Sequence, residues 1–346
     1  MRVAQRTISR NYLRTLNGAL SKRTESFERG STGLKFATLS ENVSDGTRAM
    51  HVQEQRYQAN QYLDNTNNLL YEMNSVDSNM KSIHSVLQTA QEKVLKGMSE
   101  SMGQDGRDVL AKEISKLKEE ILQFANAQYG GKYLFSGTNN SAAPFTVNED
   151  TGKLMYNGVE VEKIQQKNGE YFYMDKNNQK VAIPKNDPIY ADIGLGYRYD
   201  GNMTADPRTA FQVSFSGLEL LGFGTATGEN GIQVSGNVYD LLTEIENSLT
   251  PDLNKEALDD QYTQLVDLTD QVGVCRTDLG TRMNFLERNA DRLQNDIDNL
   301  TEQESGLISS NPADEAIKLK ECEYVWMAVL QLGSQILPSS LLDFMR

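Results

Sequence analysis

Two histidines, two cysteines and a surplus of carboxylates are the side chains of this sequence that could do chemistry. His51 and His84 stand in no H-E-x-x-H or other ligand spacing, so nothing points to a zinc hydrolase. His84 follows the apolar position Ile83 on an expected helix, where a flanking or partly buried imidazole needs no ligand. Cys275 and Cys322 are too few to build a disulfide framework or a zinc site unaided. A single bridge between them stays open beside the reading of two free thiols. Glu302 with Glu304, and Asp259 with Asp260, read as solvated helix faces rather than acid–base pairs. Asp267, Asp270 and Asp278 could attract a divalent cation weakly, but a rigid helix does not wrap an ion as a loop does. The run Gly222–Gly228 comes nearest to a phosphate-cradling loop, yet it opens no convincing helix and reads as a turn. No nucleophile, metal or cofactor constellation converges, so the expectation is a protein without catalytic residues, metal or cofactor.

Composition narrows the classes further. The chain has 346 residues, 34 basic and 48 acidic, for a net charge of −14. Its mean hydropathy is −0.55. An acidic surface argues against nucleic acid as the main partner. No run approaches the ~18 apolar residues of a membrane span, so no membrane insertion is expected. Met1-Arg2-Val3-Ala4-Gln5-Arg6 leads into no apolar core, so the start does not read as a secretory signal peptide.

The elements that must position any function are mostly helices. All seven prolines lie at or after Pro144, and a long stretch without proline permits long helices. From Leu69 the apolar positions Met73, Val76, Met80, Ile83, Leu87, Ala90 and Val94 alternate steps of four and three, a coiled-coil seam. After a break at 99–106, a second helix carries Leu110, Ile114, Leu117, Ile121 and Phe124, with a stop expected at Gly130-Gly131. From about Lys132 to Gly236 the text turns to strands, including a hairpin at Asn157-Gly158 and candidates at 169–173 and 211–215. Helix is expected again only after Pro251. There Leu258, Leu265, Val272, Leu279, Leu286, Leu293 and Leu300 repeat every seven residues over roughly 63 Å of helix. A joint near Gly306 and Asn311-Pro312 precedes a last helix from about Ala313 to Leu337.

This order predicts a mainly α fold with an inserted β-rich domain, in which the returning arm lies against the first to form a long, coiled-coil-like helical rod. The expected division is 1–40 with 306–346 as a terminal helical assembly segment, 41–136 with 250–305 as the rod, and 137–249 as the β-rich outer domain. Residues 1–60 carry ten basic and five acidic side chains, and residues 252–304 carry five and thirteen. Such opposed segments could attract each other within a molecule or between copies. Both termini look amphipathic. Ile8, Leu13, Leu16, Leu20 and Phe27 at the start, and Val325, Trp326, Leu332, Ile336, Leu341, Leu342 and Phe344 at the end, lie far from any evident core. Terminal residues fray unless something ties them down, so these twelve are the candidate assembly contacts, and a homo-oligomer is expected.

Four motifs bring a family into view. Arg29-Gly30-Ser31-Thr32-Gly33-Leu34-Lys35-Phe36, followed by Asn42-Val43-Ser44-Asp45-Gly46, is similar to the first-arm turn of the flagellin superfamily. Tyr129-Gly130-Gly131-Lys132-Tyr133-Leu134-Phe135-Ser136-Gly137-Thr138 resembles the run that closes the first helical half of that family. Leu279-Gly280-Thr281-Arg282-Met283-Asn284 is similar to a segment of its returning helix, and Ser340-Leu341-Leu342-Asp343-Phe344-Met345 to its tail. Lys35, Phe36 and Gly46 depart from the commoner residues, and the β insertion is only loosely family-like. The chain thus resembles the flagellin superfamily, and the ending favours its junction members over filament subunits. The resemblance implies a structural subunit of an extracellular flagellum, arranged as a ring of copies in the axial tube between hook and filament. It further implies hook-associated protein 1 and flagellin as partners, an export chaperone, and type III export without a cleaved signal. Two other readings stay open: a flagellin filament subunit, and a surface adhesin with a coiled-coil stalk whose aromatic strand Tyr171-Phe172-Tyr173 would bind glycans.

Overall fold

The computed structural model describes residues 2–36, 38–99, 102–139, 142–167, 169–175, 178–184, 186, 188–196, 198 and 210–336, with side chains from 7 to 333. The chain divides into two units, Tyr62–Arg292 and Met1–Gln61 with Leu293–Arg346. The elements begin with α1 (Arg2–Thr32), α2 (Val43–Gly97) and α3 (Gln104–Ala125). Strands β1 (Gln128–Tyr129) to β10 (Phe211–Gln212) follow, then α4 (Gly217–Leu221), β11 (Gly222–Thr227) and β12 (Gln233–Asn237). Helices α5 (Val238–Leu249), α6 (Lys255–Ile308) and α7 (Pro312–Ile336) complete the order. The architecture is mainly α with an inserted β-rich region. Both long helices, α2 and α6, contribute to each unit, so the division falls inside them rather than at their ends.

In the unit Tyr62–Arg292, α2 and α6 run antiparallel. Gln91 donates to Thr269 Oγ1 at 2.7 Å, Arg276 pairs with Asp77 at 3.1 Å, and Asn289 donates to Thr66 Oγ1 at 3.3 Å. Partner positions on α2 fall as those on α6 rise. Met73, Val76, Met80, Ile83, Leu87 and Val94 face Leu258, Leu265, Val272, Leu279 and Leu286 in one core, and none is more than 2% exposed. A strict four–three alternation keeps one narrow stripe of each helix turned inward, which is why so polar a pair of helices still buries a continuous core. Leu293 and Leu300 of the same repeat belong to the other unit, where Leu293 is buried and Leu300 half-buried.

Short strands fill the middle. Strands β3 (Phe145–Val147), β4 (Leu154–Tyr156) and β5 (Val159–Glu160) form one antiparallel sheet, with Tyr156 opposite Val159. The two residues between them, Asn157 and Gly158, have φ of 48° and 87°. A two-residue turn that matches strand twist needs positive φ at both positions, and Asn-Gly supplies it at least cost. A second sheet holds β6 (Ile164–Lys167), β7 (Glu170–Met174) and β8 (Lys180–Ala182). Strand β9 (Tyr190–Ala191) pairs with β10, and β11 with β12.

Four local expectations are corrected. Gly130-Gly131 does not stop α3, which ends at Ala125; the glycines turn a small hairpin of β1 and β2 (Lys132–Tyr133). The 211–215 candidate is a strand only at Phe211–Gln212. Gly222–Thr227 is strand rather than turn, because a Cβ at Gly236 would meet the Phe223 carbonyl oxygen and two backbones can approach only as glycines. Helix also returns before Pro251, as α5. Asn237 caps it, accepting from Asp240 N–H at 2.9 Å, and Leu241, Leu242, Ile245 and Leu249 are buried beneath it. Lys118 of α3 anchors the helix through Glu246 at 3.3 Å and Thr243 at 3.0 Å.

Candidate functional site

The unit Met1–Gln61 with Leu293–Arg346 contains the apolar termini. In it α1 and α7 pack antiparallel. Ser26 Oγ donates to the Glu315 carbonyl at 3.4 Å, the Arg23 guanidinium lies 4.7 Å over the Trp326 ring, and Gly333 leaves room for Tyr12. The inward row of α1 is Tyr12, Leu16, Ala19, Arg23 and Ser26, and that of α7 is Glu315, Leu319, Cys322, Trp326, Val329 and Gly333. Both rows step by four and three. They mix Tyr12, Leu16, Leu319, Trp326 and Val329 with small or polar residues, and most of these side chains are only half-buried. At the joint, Leu34 and Ser309 form an antiparallel bridge, with Lys35 N–H donating to the Ile308 carbonyl at 2.8 Å.

Other large apolar side chains lie outside the seam. Ile8, Leu13, Leu20 and Phe27 are between 44% and 60% exposed, and among them Leu13, Leu20 and Phe27 form a seven-residue row beside the seam. Val325 and Leu332 are likewise more than half exposed. Among the candidate contacts whose side chains are described, Leu16 and Trp326 alone sit half-buried in the α1–α7 seam. Ile336 closes α7, but its side chain lies outside the described residues, as do Leu341, Leu342 and Phe344 altogether.

Sequence reasoning missed part of this surface. Ile317, Tyr324, Met327 and Leu330 are also exposed on α7. With Val325 and Leu332 they surround the helix on every side not turned to α1. A helix that is apolar all round is ordinarily buried. On α2, Val43, Met50 and Tyr57 form a further exposed row. Its seven-residue spacing is visible in the sequence, as is the apolar girth of α7.

The candidate chemical groups resolve into structural ones. His51 is exposed, with Nδ1 3.9 Å from Glu54, and His84 is half-buried. Both cysteines are free thiols, and burial pushes the Cys275 thiol up to about 11. Two carboxylates expected on solvated faces are buried instead. Glu304 pairs with Arg56 at 3.2 Å and accepts from Gln53 at 2.6 Å, while Asp260 accepts two hydrogen bonds from Asn230. Glu304 is met by the Arg56 cation of α2, whereas Asp260 is held by neutral donors on Oδ1 alone and its Oδ2 is buried without a partner. Asp278 pairs with Arg282 at 2.7 Å. Among the described residues no group of three His, Cys, Asp or Glu side chains could hold a metal ion. No described helix is long and apolar enough to cross a membrane.

With this geometry in hand, comparison with known proteins is specific. Residues 3–140 match the bacterial flagellin N-terminal helical region. Flagellar hook-associated protein 3 of Escherichia coli is 23% identical over 281 residues, 80% of this chain and 79% of the relative. Its namesake in Salmonella typhimurium is 26% identical over 159 residues, 45% of this chain and 49% of the relative. A solved structure assigned to a flagellar hook-associated protein of Vibrio parahaemolyticus shares the fold, with TM-score 0.59 and 18% identity over 78% of this chain and 100% of that one. The resemblance drawn from the four motifs is thus borne out. Residues 3–140 are similar to the bacterial flagellin N-terminal helical region, and the chain is similar over most of its length to flagellar hook-associated protein 3.

Proposed function

We propose that this chain is a structural subunit of the bacterial flagellum that joins the hook to the filament. Similarity to two hook-associated proteins 3 supports a structural flagellar role. The observation that carries the joining role is the uncovered apolar surface of α1 and α7. Six large apolar side chains of α7 and four of α1 are at least 40% exposed. Fully burying one such side chain stabilises by about 1.5–3 kcal/mol, so covering this surface is a strong drive toward association. Copies of the same chain are the first partners, as a ring in the axial tube. Hook-associated protein 1 on one side and flagellin on the other complete the contacts, and residues 137–249 face outward. Delivery is by flagellar type III export to the cell exterior, with a chaperone covering the apolar helices beforehand.

Labelling isolated hook–basal bodies tests the assignment. A band confined to the hook–filament boundary is expected. Label along whole filaments, together with self-polymerisation of the pure protein, would favour a flagellin filament subunit, a reading that the flagellin match at residues 3–140 also suits. Absence from both structures would sink the proposal.

A further inference from the structure

One polar cleft lies within the unit Tyr62–Arg292. It has a volume of about 320 Å³, and its walls come from the β-rich region and from α6. Five polar or aromatic side chains matter there: Asn186, Tyr190, Gln212, Glu219 and Arg282. Their hydrogen bonds show which groups are already committed. Asn186 Oδ1 accepts from the Tyr156 hydroxyl at 3.0 Å and from Ser216 Oγ at 3.1 Å, so its acceptor is taken and the amide N–H groups remain. Arg282 rests over the Phe215 ring at 4.8 Å and pairs with Asp278 through Nη2, leaving Nη1 buried without an acceptor. Glu219 receives only a long bond from Tyr171, 3.4 Å, on one carboxylate oxygen. Gln212 is exposed on the two-residue strand β10.

The cleft therefore offers donors from Asn186 and Arg282, an acceptor from Glu219, both from Gln212, and an aromatic wall from Tyr190. An anionic ligand would meet the Glu219 carboxylate, and a cationic one would meet the Arg282 guanidinium. Neighbouring hydroxyl groups satisfy both, because each donates and accepts at once. We propose that this cleft binds a neutral saccharide unit, with Gln212, Glu219 and Arg282 reading adjacent hydroxyls and Tyr190 flanking the ring. Pockets of a few hundred Å³ with a few convergent polar groups are the usual size and make-up of small-ligand sites. The inference is independent of the flagellar reading and stands or falls apart from it.

The test titrates the full soluble chain with the methyl glycosides of glucose, galactose, mannose and N-acetylglucosamine, read by saturation-transfer NMR and calorimetry. At least one should saturate in the millimolar range or tighter. Gln212→Ala and Glu219→Gln should each weaken that binding about tenfold, the loss of one or two hydrogen bonds to the ligand. Val109→Ser, on an exposed position of α3, should leave it unchanged. Thermal melts check the fold, and Gln212→Ala, at an exposed edge, is the variant least able to disturb it. Failure of all four glycosides to saturate the wild type would overturn the proposal. So would unchanged affinity in both cleft variants.

Discussion

Glu304 illustrates what a charged residue needs in order to lie inside a helix pair. It sits on α6 with Arg56 at 3.2 Å and Gln53 at 2.6 Å, both from α2, and its side chain is 10% exposed. Removing one partner of such a group leaves the others unsatisfied, which costs more than the pair itself contributes. Glu304→Ala should therefore lower stability by about 1–3 kcal/mol, seen as a fall in the urea midpoint with an unchanged slope. Adding Arg56→Ala should cost less on that background than alone, and strict additivity of the two would refute the coupling. The Arg23–Trp326 contact is the corresponding group of the α1–α7 seam, where a cation over an aromatic face replaces two apolar side chains.

Among the elements, α5 carries the clearest dependence on pH. Two of its carboxylates, Asp240 and Glu244, are held above the ordinary range chiefly by burial. For Glu244 the nearby Asp240 charge adds to the shift, while the Ser235 N–H and Lys153 oppose it. A raised value in the folded state means a contribution that is complete below the unfolded value and lost as pH climbs through the folded one. Glu244→Gln keeps an oxygen for the Ser235 N–H, 3.0 Å away, but never ionises. The variant should gain stability relative to wild type between about pH 4 and pH 7. Urea unfolding at the two pH values measures this, and a difference that is flat or reversed would refute it. The start of α5 was legible without coordinates. Asn237 followed by Asp240, then Leu241, Leu242, Ile245 and Leu249, is a capped amphipathic helix in plain text. The surrounding glycines and strand-like runs concealed it.

The whole molecule turns on where apolar area is left uncovered. Helices α2 and α6 bury their seams against each other in Tyr62–Arg292, whereas α1 and α7 meet through a mixed, mostly half-buried seam and leave ten further large apolar side chains exposed. Substituting those outer side chains should spare the fold and harm association. Tyr324→Ser with Leu332→Ser should leave the thermal midpoint of the monomer within about 2 °C, because exposed positions contribute little. The same pair should reduce incorporation into hook–filament junctions at least tenfold, since each forfeits about 1 kcal/mol or more of burial on assembly. Junctions built at the normal level by this variant, judged by immunoblot of sheared flagella, would refute the role given to α7.

The sequence by itself determined the long helices, the seam from Met73 to Val94, the repeat from Leu258 to Leu286, the joint at Asn311-Pro312 and the hairpin at Asn157-Gly158. Each depends on periodicity or turn chemistry within a few residues, and that information is local. Only the tertiary structure decided which face of α1 and α7 is inside, why Glu304 and Asp260 are buried, and how residues from 186 to 282 converge on one cleft. Those outcomes depend on which other surface arrives at a given side chain. Burial and pairing are properties of two elements together, and neither element's sequence contains the other.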